Sequence, residues 1–166
     1  MSYVDDLDGP VGVGGWMYLF LIGFGFVSPL LLIWGTYSNL YGDPMLPLYF
    51  GESWSTYQTI EWIMAIASLA VIAFVVWRLF NVMNPLTVRI TVIAIPALSL
   101  GLLFLDVMVT AWTLGIEAEL LFAEVTTDIL RSAIYCVIWC SYFLVSKRVK
   151  NTYYEAVADD VQEVFS

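Results

Sequence analysis

Hydrophobic side chains run through this chain in four long stretches, and shorter segments between them carry most of the charged residues. The stretches cover residues 14–34, 57–80, 88–112 and 126–145. At about 1.5 Å of rise per helical residue, some 20 residues cross the ~30 Å hydrocarbon layer of a bilayer. The pattern therefore predicts an all-α fold, an integral membrane bundle of four transmembrane helices joined up-down-up-down.

Composition strengthens this prediction. Hydrophobic residues make up 61% of the chain and charged residues 13%, against about 45–50% and about 25% in soluble domains. We predict one membrane domain over residues 1–150 and an acidic tail over residues 151–166, with the lipid bilayer as the main partner.

The basic residues predict how the chain is threaded. Arg78 and Arg89 flank the short connection between the second and third stretches, and three more bases follow the fourth stretch. The other two connections carry acids and no base. Because Lys and Arg mark cytoplasmic loops, we expect both termini in the cytoplasm, with Arg131 as the one exception to the scheme.

Several functions are excluded by what the sequence lacks. It contains no histidine and has a net charge of −9, so we expect no histidine-ligated cofactor or metal and no nucleic-acid binding. Cys136 and Cys140 are expected to be apolar fillers of the fourth helix. No catalytic motif occurs, and we therefore predict a non-enzymatic protein without a cofactor.

Four charged residues fall inside the stretches and form a candidate intramembrane polar cluster: Glu61, Asp106, Asp128 and Arg131. Charges inside a membrane are costly and pair with one another. We expect Asp106 to pair with Arg131, with Asp128 as a second acceptor. The cluster would then be a clamp between the third and fourth helices, an ion or proton relay, or a polar ligand pocket opening outward; the alternative is that each group reaches the interface separately.

Two prolines lie inside predicted helices, and the first connection is unusually apolar. Pro29 and Pro96 each remove one helical hydrogen bond and predict a kink in the first and third helices. The first connection contains Leu48, Tyr49 and Phe50. We expect it to be a re-entrant or interfacial segment, or a loop packed on the helix ends.

The C-terminal region combines a basic run with an amphipathic pattern. Candidate anchoring or partner-docking residues are Lys147, Arg148, Lys150, Tyr153, Tyr154, Val157 and Val161. Apolar residues from position 154 onward recur at spacings of three and four, which indicates a helix. Its charged face is negative, so a protein partner is favoured over the membrane surface.

Two ends of the sequence carry a family resemblance. The first stretch opens with Gly14-Gly15-Trp16 and contains Ser28-Pro29, while the fourth is followed by the run 146–153, which ends in Tyr153. Trp139 and the pair Tyr142-Phe143 precede that run. Together with the four stretches, this resembles the domain-of-unknown-function family 2569. The resemblance implies a multi-pass protein of the bacterial inner membrane and no established activity.

Three functions fit these observations. The leading hypothesis is an accessory or structural subunit of a larger membrane complex, or a homo-oligomer, because catalytic motifs are lacking and the tail is suited to docking. The alternative is a small transporter or channel that uses the four-residue polar cluster. A lipid-binding or sensor protein that uses the apolar first connection is the weakest of the three.

Overall fold

Four long helices form the protein, as the hydrophobic pattern predicts. The computed structural model describes residues 10–155, and that part of the chain contains helices and no strand. The spans, each long and apolar enough to cross a membrane, are Trp16–Tyr41, Glu52–Asn81, Pro85–Leu114 and Thr126–Val145. We call the end of the bundle where residues 10 and 155, the two ends of the described chain, lie the terminal end, and the opposite end the loop end.

The first three spans extend beyond the predicted apolar stretches. The first runs on to Tyr41, and the second begins at Glu52, five residues before the predicted start. The extensions carry polar and interfacial side chains such as Asn39 and Trp54. Hydropathy marks where a helix meets hydrocarbon, whereas the backbone hydrogen bonds continue into the headgroup layer. The fourth span has the predicted bounds, Thr126–Val145.

Local sequence explains several of these helix ends. Asn84 precedes the third span in an extended conformation, and its side-chain oxygen accepts a hydrogen bond from the Thr87 amide at 3.0 Å. This is an N-cap, followed by Pro85 in the first turn, where its missing N–H is harmless. Gly115 ends the same span with a φ of +70°, a left-handed conformation that glycine adopts without strain.

Two short helices lie at the loop end. The apolar first connection forms the helix Leu46–Phe50, and Leu48 and Tyr49 in it are largely exposed. The second connection forms the helix Ala118–Glu124, which the sequence pattern did not predict. Its Phe122 ring packs at 5.7 Å from Phe104 of the third span, so this connection lies against the bundle.

The two interior prolines adjoin wider, π-helical turns. In the first span Gly23–Val27 is π-helical just before Pro29, and in the third Ala97–Gly101 follows Pro96 directly. Ser28 donates its hydroxyl hydrogen to the Gly23 carbonyl at 3.0 Å. A π-turn is one way to accommodate a proline while neighbouring groups take up the freed carbonyl.

The larger apolar core cluster lies in the half of the bundle nearer the terminal end, and a smaller one of Leu40, Trp54 and Tyr57 lies at the loop end. Phe20 of the first span is fully buried, and its ring lies 4.9 Å from Phe24, 4.9 Å from Phe143 and 5.0 Å from Trp139. These contacts join the first span to the fourth, while each span also packs on its neighbour in sequence. The bundle is therefore closed, with most side chains of each span facing outward toward lipid.

The chain after the fourth span folds back under the bundle. A short helix, Lys147–Lys150, leads into a π-helical turn, Asn151–Glu155, and we call residues 147–155 the C-terminal turn. Val149 and Tyr153 in it belong to the apolar core. The packed part of the protein thus reaches past the boundary placed at residue 150.

Candidate ligand cavity between the four spans

A cavity of about 560 Å³ opens between all four spans, in the half of the bundle nearer the loop end. Three carboxyl groups line it: Glu61 of the second span, Asp106 of the third and Asp128 of the fourth. Its other polar lining residues are Thr36, Asn39, Ser68 and Ser99. Among the described residues that form the lining there is no lysine or arginine, so the cavity has a negative interior.

Glu61 and Asp106 form the centre of this cavity. Both side chains line the cavity, and their carboxyl groups lie close enough to influence each other's ionisation. The Thr110 hydroxyl lies 3.5 Å from the hydroxyl of Tyr57, which is buried. Two carboxyl groups that lie close together and largely away from water do not both ionise readily, so without a cation at least one of them holds a proton.

Arg131 does not join this pair, and the predicted Asp106–Arg131 ion pair is wrong. Arg131 instead contacts Asp128, three residues earlier on the same helix, at 3.2 Å. The two side chains are 76% and 57% exposed, so the pair lies at the rim of the cavity. The part of the prediction that made Asp128 an acceptor for Arg131 is confirmed.

A smaller chamber of about 160 Å³ adjoins the cavity on its deep side, and we call it the inner chamber. The two share Ser68, Ser99 and several leucines of their lining. The hydroxyls of Ser28, Ser68 and Ser99 each donate to a carbonyl of their own helix. The Tyr135 hydroxyl is buried in this chamber and has no hydrogen-bond partner among the described residues.

Packed side chains close the bundle below the inner chamber. Phe20, Val75, Leu79 and Val88 are almost completely buried there. Tyr153 completes this layer from the C-terminal turn, and its hydroxyl donates a hydrogen bond to the Leu79 carbonyl at 2.5 Å. The polar path from the loop end therefore stops near the middle of the bundle.

The predicted anchoring residues are divided between surface and core. Lys147 and Lys150 are exposed, Arg148 is half-buried against Gly14 and Gly15, and Tyr154 is 40% exposed. Tyr153 is fully buried, so its ring is not available to a partner, in contrast to the docking prediction. Val157 and Val161 lie outside the described residues.

The hydrogen bond to Leu79 explains why Tyr153 is buried. Leu79 is near the end of the second span, where helix carbonyls lack an amide partner. Burial raises the pKa of the Tyr153 phenol to about 12, and the neighbouring Tyr142 adds to the effect. The hydroxyl therefore remains a donor at neutral pH. Beside it, the Thr152 hydroxyl oxygen accepts from the Gly12 amide at 2.9 Å, which ties the two ends of the described chain together.

Sequence reasoning missed the hydroxyl groups of the inner chamber. Ser28, Ser68 and Ser99 stand in apolar runs, where a serine that bonds to its own helix is common and marks no site. Tyr135 lies in the middle of the fourth stretch, where an aromatic side chain can equally well pack between helices. Only the rotation of each helix about its axis brings these groups together.

The fold and the cavity define a class, the four-span integral membrane proteins of helical-bundle type. Within that class, residues 10–154 match the model of a family described as a protein of unknown function, DUF2569. The match covers most of the chain, and the chain belongs to this family, as its two end motifs indicate. Neither the curated proteins nor the solved structures contain a match.

Proposed function

We propose that this chain is a non-enzymatic membrane protein that takes a small cation into the cavity between its four spans, as the binding step of a transporter. The observation that carries the proposal is the cavity itself, about 560 Å³ in volume and lined by Glu61, Asp106 and Asp128 without a base. Acidic groups inside a membrane face a water-filled cavity or an ion path far more often than lipid.

The charge of the lining supports a cation as ligand. Asp128 shares its charge with Arg131 at the rim. At Glu61 and Asp106 a nearby cation favours the ionised carboxylate, because opposite charges at close range attract far more strongly in surroundings of low dielectric constant than in water. An anion would find no lysine or arginine in the described lining to pair with.

The closed lower half supports a transporter over an open channel. Between the inner chamber and the terminal end, Phe20, Val75 and Tyr153 are fully buried and leave no described passage. A site that is open at one end and closed at the other fits alternating access, in which helices move to expose the same site on each side.

Orientation follows from the charges at the two ends. Five of the six basic residues lie at the terminal end: Arg78, Arg89, Lys147, Arg148 and Lys150. We propose that the terminal end is cytoplasmic and that the cavity opens to the outside of a bacterial inner membrane. The ligand would then enter from the outside.

Uptake into liposomes tests the proposal. Purified protein is reconstituted, and uptake of two probes, tetramethylammonium and Na⁺, is followed against protein-free liposomes. We expect uptake of at least one probe, and its loss in the double variant Glu61→Gln with Asp106→Asn. Glu52→Gln, which changes an exposed acid outside the cavity, is the matched control. Uptake that survives the double variant, or no uptake of either probe, contradicts the proposal.

An accessory-subunit role remains a second prediction. It rests on the C-terminal segment beyond Glu155, which carries the docking pattern. Extraction in mild detergent followed by native mass measurement separates the two hypotheses, because a stable complex with another membrane protein would support the subunit role.

A further inference from the structure

We propose that the cation is an amphiphilic organic ammonium ion, with its charged head at Glu61 and Asp106 and its apolar arm in the inner chamber. The inference rests on the proposed function and assigns the ligand class of the same site. It also assigns the inner chamber, a space that the acids alone do not explain, as the subsite for the arm.

The coordination chemistry of the cavity disfavours a bare metal ion. Hard cations take six or more oxygen ligands at short range. Among the described residues, no group of three or more Asp, Glu, His or Cys side chains is arranged to hold a metal ion. A few oriented polar groups in an otherwise apolar pocket of 300–1,000 Å³ are typical of an organic ligand, and the cavity has about 560 Å³.

The size and lining of the inner chamber match one ring of such a ligand. Its volume is about 160 Å³, and Phe24, Ile72 and Ile95 form its deep wall. An apolar protein cavity of about 150 Å³ is large enough to take up benzene. Because the chamber and the cavity share lining residues, a head group at the acids and a ring in the chamber can belong to one molecule.

The Tyr135 hydroxyl indicates that the inner chamber takes an occupant with a hydrogen-bond acceptor at this wall, supplied by the arm of the ligand or by a water beside it. It is buried, lines the chamber and has no partner among the described residues. The hydroxyls of Ser28, Ser68 and Ser99 nearby already donate to carbonyls of their own helices. A buried polar group without a partner is uncommon and indicates a missing water, ion or ligand.

Two probes that differ by one phenyl ring test the inference. Tetramethylammonium carries only the charged head, whereas benzyltrimethylammonium adds a ring, and both keep their charge at every pH. Binding to the purified protein in detergent is measured by equilibrium dialysis. The double variant Glu61→Gln with Asp106→Asn gives the amount of probe that dissolves in the detergent micelle without binding at the acids, and this amount is subtracted. Burial of the ring should strengthen binding by about 10- to 100-fold.

A substitution that fills only the inner chamber separates the two subsites. Ser28 lines the inner chamber and not the larger cavity. In Ser28→Leu we expect the affinity for benzyltrimethylammonium to fall close to that for tetramethylammonium. The affinity for tetramethylammonium should stay within about twofold of its value in the unchanged protein. Leu30→Phe, two residues further on a lipid-facing position, should change neither. Should Ser28→Leu fail to fold, Ser68→Leu blocks the junction from the second span.

Each result bears on a different claim. Equal affinities for the two probes, or tighter binding of Na⁺ than of either, overturn the ligand assignment and leave the cation cavity standing. Unchanged preference in both Ser28→Leu and Ser68→Leu also overturns it, because the ring would then lie elsewhere. If neither probe nor Na⁺ binds above the background of the double variant, the proposed function itself fails.

Discussion

Replacing Tyr153 should weaken the packing of the terminal end more than any other single change in the C-terminal turn. The ring is fully buried among Val149, Leu79 and Met17, and its hydroxyl donates to the Leu79 carbonyl at 2.5 Å. The Met17 sulfur lies 3.7 Å from the same hydroxyl. Tyr153→Phe removes only the hydroxyl, whereas Tyr153→Ala removes the ring as well.

The two variants have different expected costs. Loss of a large aromatic side chain from a packed core costs about 3–5 kcal/mol. Loss of the hydroxyl alone leaves the buried Leu79 carbonyl without its donor, which costs about 1–3 kcal/mol. Tyr154→Phe is the matched control, because Tyr154 is the next residue and is 40% exposed.

Native cysteines provide the assay. Cys136 is buried and Cys140 is half-buried, and both are free thiols. A dye that fluoresces on reaction with a thiol therefore reports unfolding on heating without any added label. We expect unfolding first in Tyr153→Ala, then in Tyr153→Phe, and last in Tyr154→Phe together with the unchanged protein.

The pH dependence of the same variants follows from the raised pKa. Because the phenol has a pKa of about 12 when folded and about 10 when exposed, the bond stabilises the protein fully below pH 10. That contribution falls as pH rises toward 12. The difference in free energy of unfolding between the unchanged protein and Tyr153→Phe should therefore become smaller between about pH 10 and pH 12. A Tyr153→Ala protein as stable as the Tyr154→Phe control would refute the packing of the C-terminal turn.

Three further predictions concern the ends of the spans. Asn84→Ala removes the cap of the third span and should lower the free energy of unfolding by about 1 kcal/mol in the same assay, with an unchanged value as the contrary result. Arg131→Ala should cost less than about 1 kcal/mol, because both partners of the pair are exposed; a larger loss would place Arg131 in a buried contact. In a background without Cys136 and Cys140, an impermeant thiol reagent should reach Leu120→Cys and Met83→Cys from opposite sides of the membrane, and labelling from one side would contradict the topology.

Hydropathy predicted the four spans because the free energy of transferring side chains between water and lipid is the largest contribution in such a chain. Hydropathy does not show where each helix ends. Residues such as Glu52 and Asn39 continue a helix into the headgroup layer. There the backbone hydrogen bonds are still formed, but the side chains are no longer apolar. The helix Ala118–Glu124 was missed for a related reason, since its mixed pattern is short and follows Gly115.

Three of the four residues of the predicted polar cluster line the cavity, but their contacts were not predicted. Glu61, Asp106 and Asp128 were recognised because an acid in an apolar stretch is rare. Their partners depend on how each helix is rotated about its axis, which an apolar stripe reveals only when the opposite face is polar. Here lipid-facing and core-facing residues are both apolar, so depth alone suggested Arg131 for Asp106, whereas the structure places Asp106 with Glu61 in the lining of one cavity.

The two halves of the bundle differ in how their buried hydroxyl groups are hydrogen-bonded. Near the terminal end, the hydroxyls of Thr87, Thr91 and Tyr153 all donate to backbone carbonyls, whereas Arg78 Nε is buried without a partner among the described residues. In the other half, Glu61 Oε1 and the Tyr135 hydroxyl are buried without a partner among the described residues, and both line a cavity. Since a buried polar group without a partner costs stability, the two groups that line a cavity mark places where a water or a ligand would restore a hydrogen bond.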